Sequence, residues 1–258
     1  MLASITENIN NASENTSEAT ENISEASKIP VKQLKSLPQN QKPKTQNPTP
    51  KMTPKLILLL FLIASKIVAQ GVKTDTIIDL QVYKSYFNYA LKEPLYVTYH
   101  LYKGGGDCDR DAQNFSFKKC GINSAVSADY ENSPYDRGHL ANAEDFADNC
   151  ANEEKTFCYF NCVPQTVKLN RGIWKTWEEK VRKLSQNKLL FVVAGNIYGN
   201  KKLGPNQIGI PDYCYKIVLD AKTKKILHCL LFPNDDSKTF KTITLTALKK
   251  MLRYDLVP

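Results

Sequence analysis

The chain has 258 residues, with 35 Lys and Arg against 26 Asp and Glu for a formal charge of +9, and only three histidines. That length holds one large domain or two small ones, and the positive balance suits a polyanionic partner but equally a merely soluble protein. Seven cysteines without a repeated C-x-x-C pair argue against a structural zinc module.

Residues 1–27 are Asn, Ser, Glu, Thr and Ala, and 28–54 are rich in Lys, Gln and Pro. Neither stretch can bury enough apolar area to offset the entropy of ordering it, so 1–51 is expected to be a disordered extension. MTPKLILLLFLIASKIVAQGV follows, from Met52 to Val72, with a basic start at Lys55, an apolar run from Leu56 to Ala64 and small residues around Ala69. This is the layout of a secretory signal peptide over 52–69, cut after Ala69. A membrane span needs roughly 20 apolar residues, and Lys66 interrupts this run. On this reading Met52 is the start and 1–51 a misassigned upstream extension. The rival is a type II anchor at 56–69 behind a cytosolic tail. The expected destination is therefore secreted or periplasmic, with membrane anchoring as the alternative.

The 189 residues from Gln70 to Pro258 suffice for one well-cored domain. Eight Lys and five Glu lie in 1–69, so about +6 stays with the domain. All seven cysteines lie there too, and an exported chain favours disulfides over a metal cluster.

Residues 82–102 suggest two strands around Lys92-Glu93-Pro94, with Leu95, Val97, Tyr99 and Leu101 alternating against polar neighbours. Residues 103–135 carry KGGGD and no clear period, so they are expected to be mostly loop. FCYFNCV at 157–163 is consistent with a buried strand stopping at Pro164. From Asn170 the pattern turns helical, with Ile173, Trp177, Val181 and Leu184 on one face and Asn170, Trp174, Glu178 and Arg182 in a stripe beside it. Residues 189–199 form a further strand, 213–219 and 226–232 a hairpin around DAKTKK, and 240–252 a closing strand-to-helix segment. If Leu219 faces Lys224 in that hairpin, Cys214 and Cys229 sit opposite and bridge. Cys108–Cys120 is the second expected bridge, and Cys150, Cys158 and Cys162 compete for a third. Strands dominate beside one clear helix and one weaker one: a mixed α+β domain without internal repeats.

Taken singly, the polar residues have ordinary explanations. His100 and His228 lie in apparent strands, Asn170 would serve as an N-cap, and Glu178 with Arg182 would be a surface ion pair. In combination they say more. D-R-G-H at 136–139, N-C-V-P-Q at 161–165, L-N-R-G-I-W-x-x-W-E at 169–178 and then Arg182 resemble the non-specific DNA/RNA endonuclease family that includes mitochondrial endonuclease G. Asn161 to Asn170 is nine residues, Asn170 to Glu178 eight and Glu178 to Arg182 four, all matching that family's spacing. VVAGNIYG (192–199), IPDYCYKIVL (210–219) and FPND (232–235) also look like family blocks.

The resemblance implies a ββα-metal finger within the mixed sheet core. It implies a sugar-non-specific endonuclease acting on DNA and RNA with Mg²⁺, or Mn²⁺ as substitute. His139 would be the general base and Asn170 the direct metal ligand. Glu178 would accept hydrogen bonds from the metal's water shell, while Asn161 and Asp136 would orient the His139 loop or that shell. Arg137 and Arg182 would hold the phosphate or stabilise the transition state. The family's upstream arginine has a loose counterpart in Arg110. The chemistry is coherent: an imidazole is a neutral base near pH 7, and a hard cation that keeps most of its waters needs few protein ligands. Asn142 stands where the family's D-R-G-H-L-A-P-A carries its proline, and Asn196 replaces a second. A homodimer and an inhibitor protein are further partners to consider, and a nucleic-acid- or inhibitor-binding domain of weak turnover is the alternative function.

Overall fold

A computed structural model describes residues 72–256. The expected extension at 1–51 and export signal at 52–69 lie outside the described residues.

The chain opens with an antiparallel meander, β1 (Thr76–Asp79), β2 (Lys84–Asn88) and β3 (Glu93–Leu101). Lys92 turns the second hairpin in the left-handed region at φ 55°, so the two strands expected around Lys92-Glu93-Pro94 form. A long loop with one short helix, α1 (Ser127–Tyr130), leads to β4 (Tyr135–His139). The helix α2 (Cys150–Lys155) follows, capped by Asn149, which accepts from the Asn152 amide.

β5 (Cys162–Thr166) pairs antiparallel with β4 as a separate two-stranded sheet, with His139 opposite Cys162. The strand begins later than expected and runs through Pro164. A two-stranded sheet leaves each strand one unpaired edge, where a missing N–H costs no ladder bond. Next comes a wide helical turn, Leu169–Trp174, broken at Gly172 (φ −109°, ψ −112°), before the regular helix α3 (Lys175–Ser185). The expected helix thus exists, but its regular part starts five residues after Asn170. Asn170 sits in the wide turn instead.

β6 (Leu190–Leu203), β7 (Ile208–Asp220), β8 (Ile226–Pro233) and β9 (Lys241–Thr242) complete a seven-stranded antiparallel sheet of order β1-β2-β3-β6-β7-β8-β9, and α4 (Leu245–Met251) closes the described chain. Alternation divides each strand between two cores. Val97, Tyr99, Val192, Ala194, Val218 and Phe232 meet Leu140, Val163, Trp174, Trp177 and Val181 of the β4–β5–α3 finger. Val193, Tyr215, Ile217 and Leu231 face the other way, toward Leu248 of α4. This is the α+β architecture expected, with a ββα unit laid on one face of the sheet.

The expected cysteine pairing is wrong in both named bridges. The β7–β8 register pairs Cys214 with Phe232 and Cys229 with Ile217, because the turn holds Lys224 at φ 62° and the ladder shifts between Val218 and Leu219. An odd slip of three residues sends the two thiols to opposite faces: Cys214 lies in the finger-side core and Cys229 in the other. The disulfides are Cys108–Cys150 and Cys120–Cys158, and Cys162, Cys214 and Cys229 are buried thiols. Three thiols therefore remain where the three expected bridges would have left one. Both bridges tie the 103–122 loop to the segment around α2, a pairing across the fold that chain proximity does not favour.

Candidate active site

The finger and the disulfide-tied loop enclose an open cleft of about 550 Å³ lined by Arg110, His139, Asn142, Glu144, Asn170, Arg171, Lys175, Glu178 and Arg182. Four cationic side chains face two carboxylates there, so the cleft favours an anionic guest.

His139 ends β4 and reaches the cleft between Phe117, 4.6 Å away centroid to centroid, and Phe157, at 4.9 Å. Its Nε2 is buried and meets no hydrogen-bond partner among the described residues. Burial between the two rings, followed by the Arg110 guanidinium, pushes the imidazole down to about 3, so the ring is neutral across the physiological range. Its main chain is held by the wide turn that leads into α3, since Trp174 Nε1 donates to His139 O at 3.2 Å. Gly138 precedes it because a Cβ there would stand 2.2 Å from Gln165 Oε1.

Asn161 is fully buried, and its side chain is spent on backbone. Nδ2 donates to Ala141 O and Thr156 O and Oδ1 accepts from Ala141 N, each at 2.9 Å. It clamps the segment that leaves His139. Of the two roles expected for it, loop orientation is the one this geometry provides.

Asn170 donates from Nδ2 to Asp136 Oδ2 at 3.0 Å. That bond fixes the amide and leaves its carbonyl oxygen as the remaining polar atom. Asp136 also receives Arg171 through both oxygens, at 2.8 and 2.7 Å, and these bonds hold its carboxyl low against the opposing effect of burial. Among the described residues no three His, Cys, Asp or Glu side chains converge on a metal-sized gap.

Glu178 and Arg182 lie one turn apart on α3 and both reach the cleft. Arg182 Nη1 donates to Asp145 Oδ1 at 2.9 Å and to Asn142 Oδ1 at 3.2 Å. Burial raises the Glu178 carboxyl, while Lys216 and a hydrogen bond with Asn142 pull it down. Asn142, at the position of the family's proline, is thus a polar bridge inside the cleft.

Arg137 lies elsewhere. Its guanidinium lies 5.1 Å over the Tyr130 ring and donates to Ser127 Oγ at 3.0 Å, outside the cleft lining. Arg110, the loosest sequence candidate, lines the cleft directly. It pairs with Glu144, and its Nε lies 3.2 Å from Glu153 Oε1. The Cys108–Cys150 bridge two residues away delivers it. Sequence reasoning missed Glu144, Arg171, Lys175, Asp145 and Lys216. Lys216 alone had a usable signal, a lysine at an inward position of the apolar strand YCYKIVL.

The family profile described as DNA/RNA non-specific endonuclease matches residues 63–253. A nuclease of Nostoc sp. is 36% identical over 91 residues, covering 35% of this chain and 33% of its own. Human mitochondrial endonuclease G is 28% identical over 125 residues, covering 43% and 42%, and mitochondrial nuclease EXOG of Xenopus laevis is 28% identical over 159, covering 53% and 44%. The matches thus span between a third and just under half of these curated relatives. A chain in the crystal structure of the EndoG/EndoGI complex shares the fold, with a TM-score of 0.61, 22% identity and coverage of 68% of this chain and 82% of that one. With its finger motif, cleft and sequence blocks in one order, the chain belongs to the DNA/RNA non-specific endonuclease family.

Proposed function

We propose that the chain hydrolyses internal phosphodiester bonds of DNA and RNA, with His139 as the general base and one divalent cation, Mg²⁺ or Mn²⁺, held at Asn170. The observation that carries this reading is a neutral imidazole, its Nε2 without a hydrogen-bond partner among the described residues, sharing an open cleft with two amides, two carboxylates and three guanidiniums.

A phosphodiester anion repels hydroxide, so hydrolysis needs a base beside the nucleophilic water and positive charge around the phosphate. His139 takes the water's proton. An anion entering the cleft opposes both burial and Arg110, so it raises the basicity of the ring as reaction begins. Arg110 and Arg182 hold the non-bridging oxygens, each already fixed by a carboxylate partner and so preorganised for the transition state. Arg137 supports β4 from the Tyr130 side instead of touching phosphate.

The residues present fit a hard cation that keeps most of its waters: one oriented carbonyl at Asn170, with the Glu178 carboxylate in the same cleft to accept hydrogen bonds from the hydration shell. Such a cation supplies charge neutralisation at the phosphate oxygens. Asp136 holds the Asn170 amide, and Asn161 holds the His139 segment.

Arg171 and Lys175 extend the positive wall of the cleft and carry no base information, so binding should be indifferent to sequence and weaken with salt. The two disulfides support an oxidising destination, and with it the export signal read at 52–69. A second copy of the chain and an inhibitor protein of the kind named in the EndoG/EndoGI complex are partners to test.

The decisive experiment incubates supercoiled plasmid and total RNA with the protein in Mg²⁺, in EDTA, and with His139→Ala. Wild type should degrade both in Mg²⁺ alone. Equal degradation by His139→Ala would refute the reading.

A further inference from the structure

β7 alternates its side chains between the two cores, and Lys216 falls between Cys214 and Val218 on the finger side, where an apolar residue would be ordinary. The lysine is 1% exposed, with Nζ 4.0 Å from Glu178 Oε1 and 4.3 Å over the Trp174 ring. Glu178 and Asp145 are also buried, and Arg182 is the other cation facing them. Four charges therefore share the space behind the cleft, two of each sign. A buried ion is tolerable only with a counter-charge. Arg182 is committed to Asp145 at 2.9 Å, and Tyr99 adds a hydroxyl to the same carboxylate. That leaves Lys216 as the counter-charge of Glu178.

We propose that Lys216 is a positioning residue of the site, a fixed internal cation that acts through Glu178 by keeping its carboxylate charged and aimed into the cleft. The inference rests on the role given to Glu178 above. Each charge is held against its burial by the other. Burial, with Asp145 adding to it, raises the Glu178 carboxyl overall, while Lys216 is the first of the groups that oppose this, before Asn142 and Arg182. Burial, with Arg182, lowers the Lys216 ammonium overall, and Glu178 is the first of the groups that hold it, before Asp145 and Cys214. Without Lys216, a single arginine would face two buried carboxylates, and one of them would have to take up a proton. A protonated Glu178 is a poorer acceptor for a cation's waters.

The test is a double-mutant cycle of Lys216→Met and Glu178→Gln with two readouts: kcat and KM on plasmid in Mg²⁺, and the thermal midpoint in EDTA. Lys216→Met should lower kcat about 10–100-fold, as loss of an outer-shell partner does, with KM little changed. In the Glu178→Gln background the same change should cost less than about threefold. In EDTA, Glu178→Gln should lower the midpoint of the wild type but raise that of Lys216→Met, because only in the latter does it remove a buried carboxyl that has lost its counter-charge and must otherwise be protonated. If Lys216→Met alone does not fold, a folded double variant supports the proposal, and failure of both variants overturns it. Midpoint shifts that simply add, or equal kcat losses in both backgrounds, would make Lys216 a packing residue and overturn it. A wild type without nuclease activity would defeat the proposed function, yet the cycle in EDTA would still decide the role of Lys216.

Discussion

Replacing Asn161 by Ala tests how the strand that carries His139 is held in place. The substitution deletes three 2.9 Å hydrogen bonds from a side chain of zero exposure and orphans Ala141 N, Ala141 O and Thr156 O. A buried backbone group left unpaired costs about 1–3 kcal/mol, and water admitted to the vacated space recovers part of the total. A net loss of about 4 kcal/mol follows, against a usual domain stability of about 5–15 kcal/mol. Urea unfolding reads this well through the chain's two tryptophans, Trp174 and Trp177, which both pack on the finger. With a slope of about 2 kcal/mol per molar, the midpoint should fall by about 2 M while the slope stays constant. Residual activity of the folded fraction should drop, because Leu140 and Ala141 no longer fix His139. The Mg²⁺ requirement proposed above should not move, since every polar atom of the Asn161 side chain is bonded to backbone. Full stability combined with a raised Mg²⁺ requirement would refute this reasoning and place Asn161 in the hydration shell. Asn161→Asp sharpens the test, because its second oxygen would face two carbonyl oxygens and raise the folded-state pKa of the new carboxyl. That variant should be most stable below the unfolded value of about 3.9 and lose stability as pH rises through the folded value.

For His139, folding lowers the imidazole to about 3, so its contribution to stability is present above the unfolded value of about 6.5 and lost as pH falls toward 3. Its NMR ring resonance should stay flat through pH 6.5, and a titration centred there would contradict the buried placement. Gly138→Ala puts a Cβ 2.2 Å from Gln165 Oε1 and should cost about 1–3 kcal/mol by thermal denaturation, with activity falling as β4 shifts. Removing the Cys108–Cys150 bridge by double alanine substitution frees a 42-residue separation, worth about 4 kcal/mol of chain entropy in urea unfolding. It should also depress kcat by loosening Arg110, and unchanged kcat would mean that Arg110 does not act on the substrate. Cleavage rates under subsaturating substrate should fall steeply between low and moderate salt, and a flat salt profile would show that the cleft cations do not contact phosphate.

The strands around Lys92-Glu93-Pro94, the helical stripe of Glu178 and Arg182, and the closing helix were legible because each is written in near-neighbour alternation or in i, i+4 spacing. Asn170 was placed in the right stripe but in the wrong local conformation, since Gly172 lets the chain take a wide turn that periodicity does not register. Arg137 reads as part of the D-R-G-H motif, yet its side chain finds Tyr130 and Ser127, groups close in space whose approach no spacing reveals.

The sequence alone determined that His139, Asn170, Glu178 and Arg182 share one cleft with Asn161 behind them, because all five lie on one continuous ββα segment whose local geometry follows from chain spacing. Tertiary structure decided everything that depends on register and on approach across the fold. A three-residue slip separated Cys214 from Cys229, the 103–122 loop crossed to α2 and carried Arg110 into the cleft, and alternation in β7 turned Lys216 inward beneath Glu178. Side-chain direction in a sheet reverses with every residue, so one unseen bulge or an unpredicted turn length changes which groups meet.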